Sequence, residues 1–166
     1  MMGIVVIGLA LVVATMHLFV SRKPRTSRRV LDLYLLYTLV VGVGVGYLFA
    51  GLGHLLFADR IAEQLGWATG SPFQIEVGLY DVAFGVLGIC CIWFRDQWWY
   101  ATALGMSVFA VGAAINHVRD LVAQGDSSAL NSASVLADLL VPVLLGALFV
   151  VRRRLERRAA LRNAEA

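Results

Sequence analysis

Seven side chains in this sequence are of types that could do chemistry together: His54, Gln74, Glu76, Asp81, Asn116, His117 and Asp138. Each lies at or just inside the end of an apolar stretch. His54 closes one stretch, and Gln74, Glu76 and Asp81 open the next. Asn116 and His117, with Asp120 one turn on, close a third, and Asp138 opens a fourth. Removing an ionisable group from water is costly, so carboxylates and imidazoles inside apolar spans mark a functional site by default.

The stretch 70–88, GSPFQIEVGLYDVAFGVLG, organises the rest. Ser71 suits an N-cap, Pro72 the first helical position, and Gln74 the return half of a capping box. Glu76 then sits about one turn inside the helix and Asp81 about one and a half turns deeper. At ~100° per residue the two carboxylates point about 140° apart and do not share a face. Gly78, Asp81, Gly85 and Gly88 do share one, which lets a neighbouring helix approach closely. In the last stretch Pro142 removes the donor that the Asp138 carbonyl would use, so that carbonyl needs another partner.

Three chemistries fit these residue types. The groups could hydrogen-bond one another and tie helix ends together. They could line a pocket for a small amphipathic molecule such as a quinone or a lipid. Glu76 or Asp81 would then hydrogen-bond or exchange protons, and His54 or His117 would orient the ligand. Two histidines and three carboxylates on four helices also resemble the ligand set of carboxylate-bridged metal bundles, although the Glu-x-x-His pair of that class is absent. Transport or conduction is the remaining reading. No spacing suggests a Ser-His-Asp or Cys-His nucleophile, and there is no phosphate-binding P-loop, so no catalytic residue or cofactor is assigned.

The elements that must position these groups are membrane helices. The chain has 166 residues, 60% of them hydrophobic and only 15% charged. Its mean hydropathy is +0.78, beyond what a soluble domain carries. The basic pI of about 9.2 does not read as nucleic-acid binding, because the cations flank apolar spans instead of interleaving with aromatics. Residues 1–20 lack a basic leader and read as a retained first span, with His17 at the interface. Residues 21–30 form a basic loop holding five Lys or Arg. Residues 31–57 form a second span, with Gly42, Gly46 and Ala50 repeating every four positions and His54 continuing the stripe. Residues 58–70 read as an amphipathic interfacial segment anchored by Trp67. The third span, 73–94, ends in WFRDQWWY, an aromatic belt. The fourth runs to about residue 118, residues 121–134 make a polar exposed connection, and 135–151 form the fifth span. Residues 152–166 make a basic helical tail.

The positive-inside rule then sets the N-terminus outside and the C-terminus in the cytoplasm. That orientation gathers all seven site residues at the outer side of the four-helix unit 31–151, with nothing comparable expected on the cytoplasmic half. Adjacent Cys90 and Cys91 suit no disulfide with each other.

Segments 47–67 (YLFAGLGHLLFADRIAEQLGW) and 75–91 (IEVGLYDVAFGVLGICC), followed by a basic-aromatic turn and a small-residue helix ending in NHV, resemble the DoxX-like superfamily of small multi-pass bacterial membrane proteins, in an uncharacterised branch. The resemblance covers about residues 33–151 and rests partly on Glu76, Gly78, Gly85 and Gly88. His54 stands where that superfamily tends to have lysine. The resemblance implies a four-helix bundle, here with one added N-terminal span, and partners in membrane redox complexes such as a thiosulfate:quinone oxidoreductase. The sequence therefore leads to an all-α, five-span integral protein of the cell (inner or plasma) membrane. It is expected to be an accessory or small-ligand-binding protein, redox-linked, with the lipid bilayer, redox-complex subunits or a second copy of itself as partners. The alternatives are a metal-dependent membrane enzyme and a purely structural subunit.

Overall fold

The structure, a computed structural model, describes residues 2–123, 125 and 128–165. The elements are α1 (Met2–Val20), α2 (Ser27–Tyr37), a π-helical segment (Thr38–Val45), α3 (Gly46–Leu56), α4 (Ala58–Gln64), α5 (Phe73–Cys90), α6 (Gln97–Ala123) and α7 (Ala129–Ala164). All described regular structure is helical. Five helices are long and apolar enough to cross a membrane: α1, the continuous run Ser27–Leu56, α5, α6 and α7. This is the build of a multi-pass membrane protein.

Helical periodicity decides which side of each span meets protein. On α1, Ile7, Ala10, Ala14 and Leu18 are buried, while Val5, Leu9, Val12, Met16 and Phe19 are exposed. Both sets recur at three- or four-residue spacing, so one stripe packs and the opposite stripe is left for lipid. On α6 the buried stripe is Trp99, Ala103, Met106, Ala110 and Ala114, and the exposed one is Leu104, Val108, Val111 and Ile115. Apolar faces of that size left bare are stable only against hydrocarbon.

The Ser27–Leu56 span and α5 pack backbone to backbone. A methyl group built on Gly88 would lie 2.5 Å from the Gly44 nitrogen, and one on Gly51 would lie 2.7 Å from the Gly78 carbonyl oxygen. Gly78, Asp81, Gly85 and Gly88 are all buried on the face that the spacing predicts. Of the expected stripe of Gly42, Gly46 and Ala50, both glycines face the same neighbour, and the closest approach to α5 is made by glycines off that stripe. Gly42 and Gly46 sit against Ile7 and Val6 of α1, whereas Gly44 and Gly51 meet α5. Residues 42–45, GVGV, close the π-helical segment, where small residues let the helix widen.

The polar connection expected at 121–134 is shorter than the sequence suggests. Helix α6 continues to Ala123 and α7 begins at Ala129 with Ser128 as N-cap. Positions 124, 126 and 127 lie outside the described residues, as do Met1 of the first span and Ala166 of the tail. The tail is not a separate element. It is the continuation of α7, a single helix of 36 residues that carries Pro142 in its interior.

The other end of the bundle overturns the expectation that it holds nothing comparable. Arg152 of α7 is buried. Its Nε lies 3.1 Å from Asp32 Oδ1 and 3.4 Å from Glu156 Oε1, and its Nη2 donates to Asp96 Oδ1 at 2.9 Å. The contact with Asp32 is an ion pair without hydrogen-bond alignment. Asp96 reaches this position from a left-handed backbone, φ 53°, which aspartate tolerates better than most residues. Arg28 adds ion pairs to Asp32 at 3.7 Å and Glu156 at 3.6 Å. One arginine thus ties α2, the 91–96 turn and α7 together. Sequence alone gave six tail arginines and no means of telling which one turns inward.

Candidate functional site

Two histidine–amide pairs form the frame of the opposite, polar end. His54, in the last turn of α3, meets Gln74, in the first turn of α5, with 2.6 Å between Nδ1 and Oε1. Gln74 is only 2% exposed. It therefore does not form the capping box expected with Ser71. Helix α5 starts one residue later than that motif requires, with Pro72 at the N-cap, and Ser71 Oγ accepts weakly from the Phe73 N–H at 3.3 Å. The amide is drawn inward because the imidazole offers it a buried partner.

His117 of α6 is held the same way. Its Nδ1 lies 2.5 Å from Asn131 Oδ1, and Asn131 Nδ2 donates to the His117 carbonyl at 3.2 Å. That second bond fixes which end of the amide faces the ring, so Nδ1 must carry the proton and donate. Nε2 then faces Asp138 Oδ2 at 3.9 Å. The indole of Trp67 stacks on the His117 ring, with centroids 5.6 Å apart and planes 10° apart, and donates from Nε1 to Asp120 Oδ2 at 2.8 Å. Trp67, expected as an interfacial anchor, is half-exposed and also pins the α4–α5 connection over the end of α6.

Deeper in the bundle, Asp81, Asp138 and Tyr47 lie within electrostatic reach of one another, and His54 and His117 interact across the helix ends. Asp81 is 4% exposed, yet no side-chain hydrogen bond to it exists among the described residues. Four spans thus bring His54, Gln74, Asp81, His117 and Asp138 to one end. Glu76 and Asn116 are not among them, because both are exposed on the outer surfaces of α5 and α6. The 140° between Glu76 and Asp81 explains the split, since a helix that buries one must expose the other.

Sequence reasoning missed Asn131, Tyr47 and the inward role of Trp67. A signal existed for two of them. Asn131 precedes Asp138 by seven residues and Tyr47 precedes His54 by seven, which is two helical turns and the same face. Nothing in the sequence marks Trp67. Among the described residues no three of His, Cys, Asp and Glu converge as metal ligands. Cys90 and Cys91 are both free. Two surface clefts, one beside Thr15 and Tyr34 and one beside Lys23 and Arg29, lie away from this cluster.

Amide–imidazole pairs at the ends of apolar spans define a helical multi-pass membrane protein with a polar centre at one end of the bundle. Within that class, residues 1–158 match a family of unknown function, DUF6790, and the chain belongs to it. No curated protein and no solved structure matches the chain.

Proposed function

We propose that the polar end of the bundle binds a small amphipathic molecule of the quinone or lipid class, and that Asp81 is the group that meets it. One observation carries this reading. Asp81 sits on the inner face of a membrane-length helix, buried, facing a second carboxylate and a phenol, with no hydrogen bond among the described residues to account for it. Ionisable groups on the inner faces of membrane spans are rare and are kept where they act. A ligand hydroxyl or carbonyl would hydrogen-bond to Asp81 or Asp138, exchanging a proton with either. His54 and His117, each fixed by an amide, would orient it.

On this reading the N-terminus faces outward, the basic loop and the arginine tail lie in the cytoplasm, and the protein resides in the cell (inner or plasma) membrane. The sorting of basic residues to one side supports that orientation. The DoxX-like resemblance supports membrane redox proteins as partners. With Glu76 turned outward, the ligand-facing role belongs to Asp81.

A structural subunit is the second reading, favoured by how many of the polar groups already satisfy each other: His54 with Gln74, His117 with Asn131, Trp67 with Asp120. Protein purified from native membranes in mild detergent separates the two readings through mass spectrometry of its extracted lipids. The binding reading expects a co-purifying quinone or lipid that falls at least about tenfold in Asp81→Asn and is unchanged in Glu76→Gln. A wild-type preparation with no enriched molecule, or an Asp81→Asn variant that retains it, would overturn it.

A further inference from the structure

A second site lies at the arginine end of the bundle. The end of α1, the loop that follows it, the first turns of α2 and the 91–96 turn enclose a cleft of about 430 Å³. At ~30 Å³ per water this is room for on the order of a dozen waters, the scale of a phospholipid headgroup. Its lining carries Lys23, Arg28, Arg29 and Arg95 against one carboxylate, Asp32. That carboxylate is already committed to Arg152 at 3.1 Å.

The cations differ in what they are doing. Arg28 is paired with Asp32 and Glu156. Arg29 spends its N–H groups on neutral acceptors, the carbonyls of Lys23 and Pro24 at 2.6 and 3.1 Å and Ser21 Oγ at 2.5 Å. Those bonds fold the loop back over the start of α2 without neutralising the guanidinium. Among the described residues no ion pair uses Lys23, Arg29 or Arg95. Three positive charges therefore line one cleft without an ion pair, Lys23 and Arg95 exposed and Arg95 also packed over the Trp99 ring at 5.2 Å, and together they set up a potential that favours an anion there. Leu33 and Leu36 form part of the same lining. The cleft opens where the apolar spans end, beside exposed Phe19 and Val20 of α1, where basic residues next to a span meet anionic headgroups.

We propose that this cleft is a phosphate-binding site, with the phosphate carried by an anionic phospholipid whose headgroup enters between Lys23, Arg29 and Arg95. Arg29 shapes the loop, and Lys23 and Arg95, which have no structural ion pair to lose, supply the charge that selects the anion. The proposal is independent of the polar end of the bundle.

The test titrates phosphatidylglycerol or phosphatidylcholine into the full chain in detergent micelles and counts bound lipid by native mass spectrometry. Phosphatidylglycerol should bind in preference to phosphatidylcholine. Lys23→Gln combined with Arg95→Gln should weaken it about 25-fold, about fivefold per basic residue at the strength typical of cations near a lipid surface. Lys23→Arg should keep most of the affinity. The tail variant Arg157→Gln with Arg158→Gln removes the same charge outside the cleft and should leave affinity within about twofold. A second arm adds inorganic phosphate to protein in phosphatidylcholine and follows the thermal midpoint. If phosphate stabilises the wild type but not the cleft variant while phosphatidylglycerol shows no preference, the lipid source is overturned and a soluble phosphate takes its place. Equal losses in the cleft and tail variants, or no preference for either phosphate source, would overturn the site itself.

Discussion

Replacing Gly88 by alanine should damage the protein through the packing of α5 on the Ser27–Leu56 span. The added Cβ would lie 2.5 Å from the Gly44 nitrogen, 2.7 Å from its Cα and 2.8 Å from the Leu39 carbonyl oxygen. All three are backbone atoms, so no side-chain rotation relieves the clash. Restoring ordinary contact requires the helices to separate by about 0.9 Å, and overpacking of that kind costs about 1–3 kcal/mol. The separation also forfeits dispersion along the seam, where Gly51 and Gly85 make equally close approaches. Against this, alanine is a better helix former than glycine by ~1 kcal/mol. Gly112→Ala isolates that gain, because Gly112 lies in α6 with nothing within 4 Å of the added carbon. Reversible unfolding in mixed micelles should therefore place Gly88→Ala about 1–3 kcal/mol below Gly112→Ala. Equal stability of the two variants would mean that the two spans do not pack backbone to backbone, and the glycine account of the fold would fail.

Arg152→Met should destabilise the chain by up to about 3 kcal/mol, because Asp96 loses its ion pair and Asp32 and Glu156 keep only Arg28; the exposure of Asp96 and Glu156 keeps the loss toward the low end. Adding Asp32→Asn should recover part of it, and a double-mutant cycle measures how much. Asn131→Ala should cost about 1–3 kcal/mol by leaving the buried His117 Nδ1 without its partner, while the His117 carbonyl keeps its place in the helix. The double variant with His117→Phe should cost less than the sum of the single changes, and strict additivity would show that the pair is not coupled. In a background with Cys90 and Cys91 changed to serine, cysteines placed at Lys23 and at Thr69 should react with an impermeant maleimide from opposite sides of native membranes, position 69 from outside. Labelling of both from one side would refute the proposed orientation.

Much of the helical layout was legible because lipid leaves few options. Every backbone polar group in hydrocarbon must be satisfied within its own segment, so apolar runs bounded by charge read directly as spans. The inner face of α5 was legible for the same reason, since Gly78, Asp81, Gly85 and Gly88 recur with helical period. What the pattern could not supply was any choice between equivalent neighbours. Six arginines follow Val151, and only the position of Asp32 and Asp96 in space selects Arg152. Two carboxylates follow Pro72, and only the rotation of α5 selects Asp81 over Glu76. Asn131 was hidden because a polar, small-residue stretch reads as loop, whereas Ser128 caps a helix there and carries Asn131 into the bundle.

The two ends of the bundle satisfy their buried groups by different means. At the arginine end the partners are full charges, and Asp96, Glu156 and Arg28 retain contact with solvent, so water shares the cost of desolvation. At the polar end the partners are mostly neutral. Imidazole pairs with amide and indole stacks on imidazole, a chemistry suited to depths where an ion pair would be expensive. The neutral pairs explain why Gln74, His117 and Asn131 can be buried and His54 half-buried, and they leave Asp81 without such an explanation. Its nearest electrostatic neighbours are a second carboxylate and a phenol, neither of which offsets a negative charge. A fold assembled only to tie helix ends together would be more stable with asparagine or leucine at that position. The presence of a carboxyl there is thus the feature of the bundle that packing leaves over, and it is the feature on which the ligand-binding proposal stands or falls.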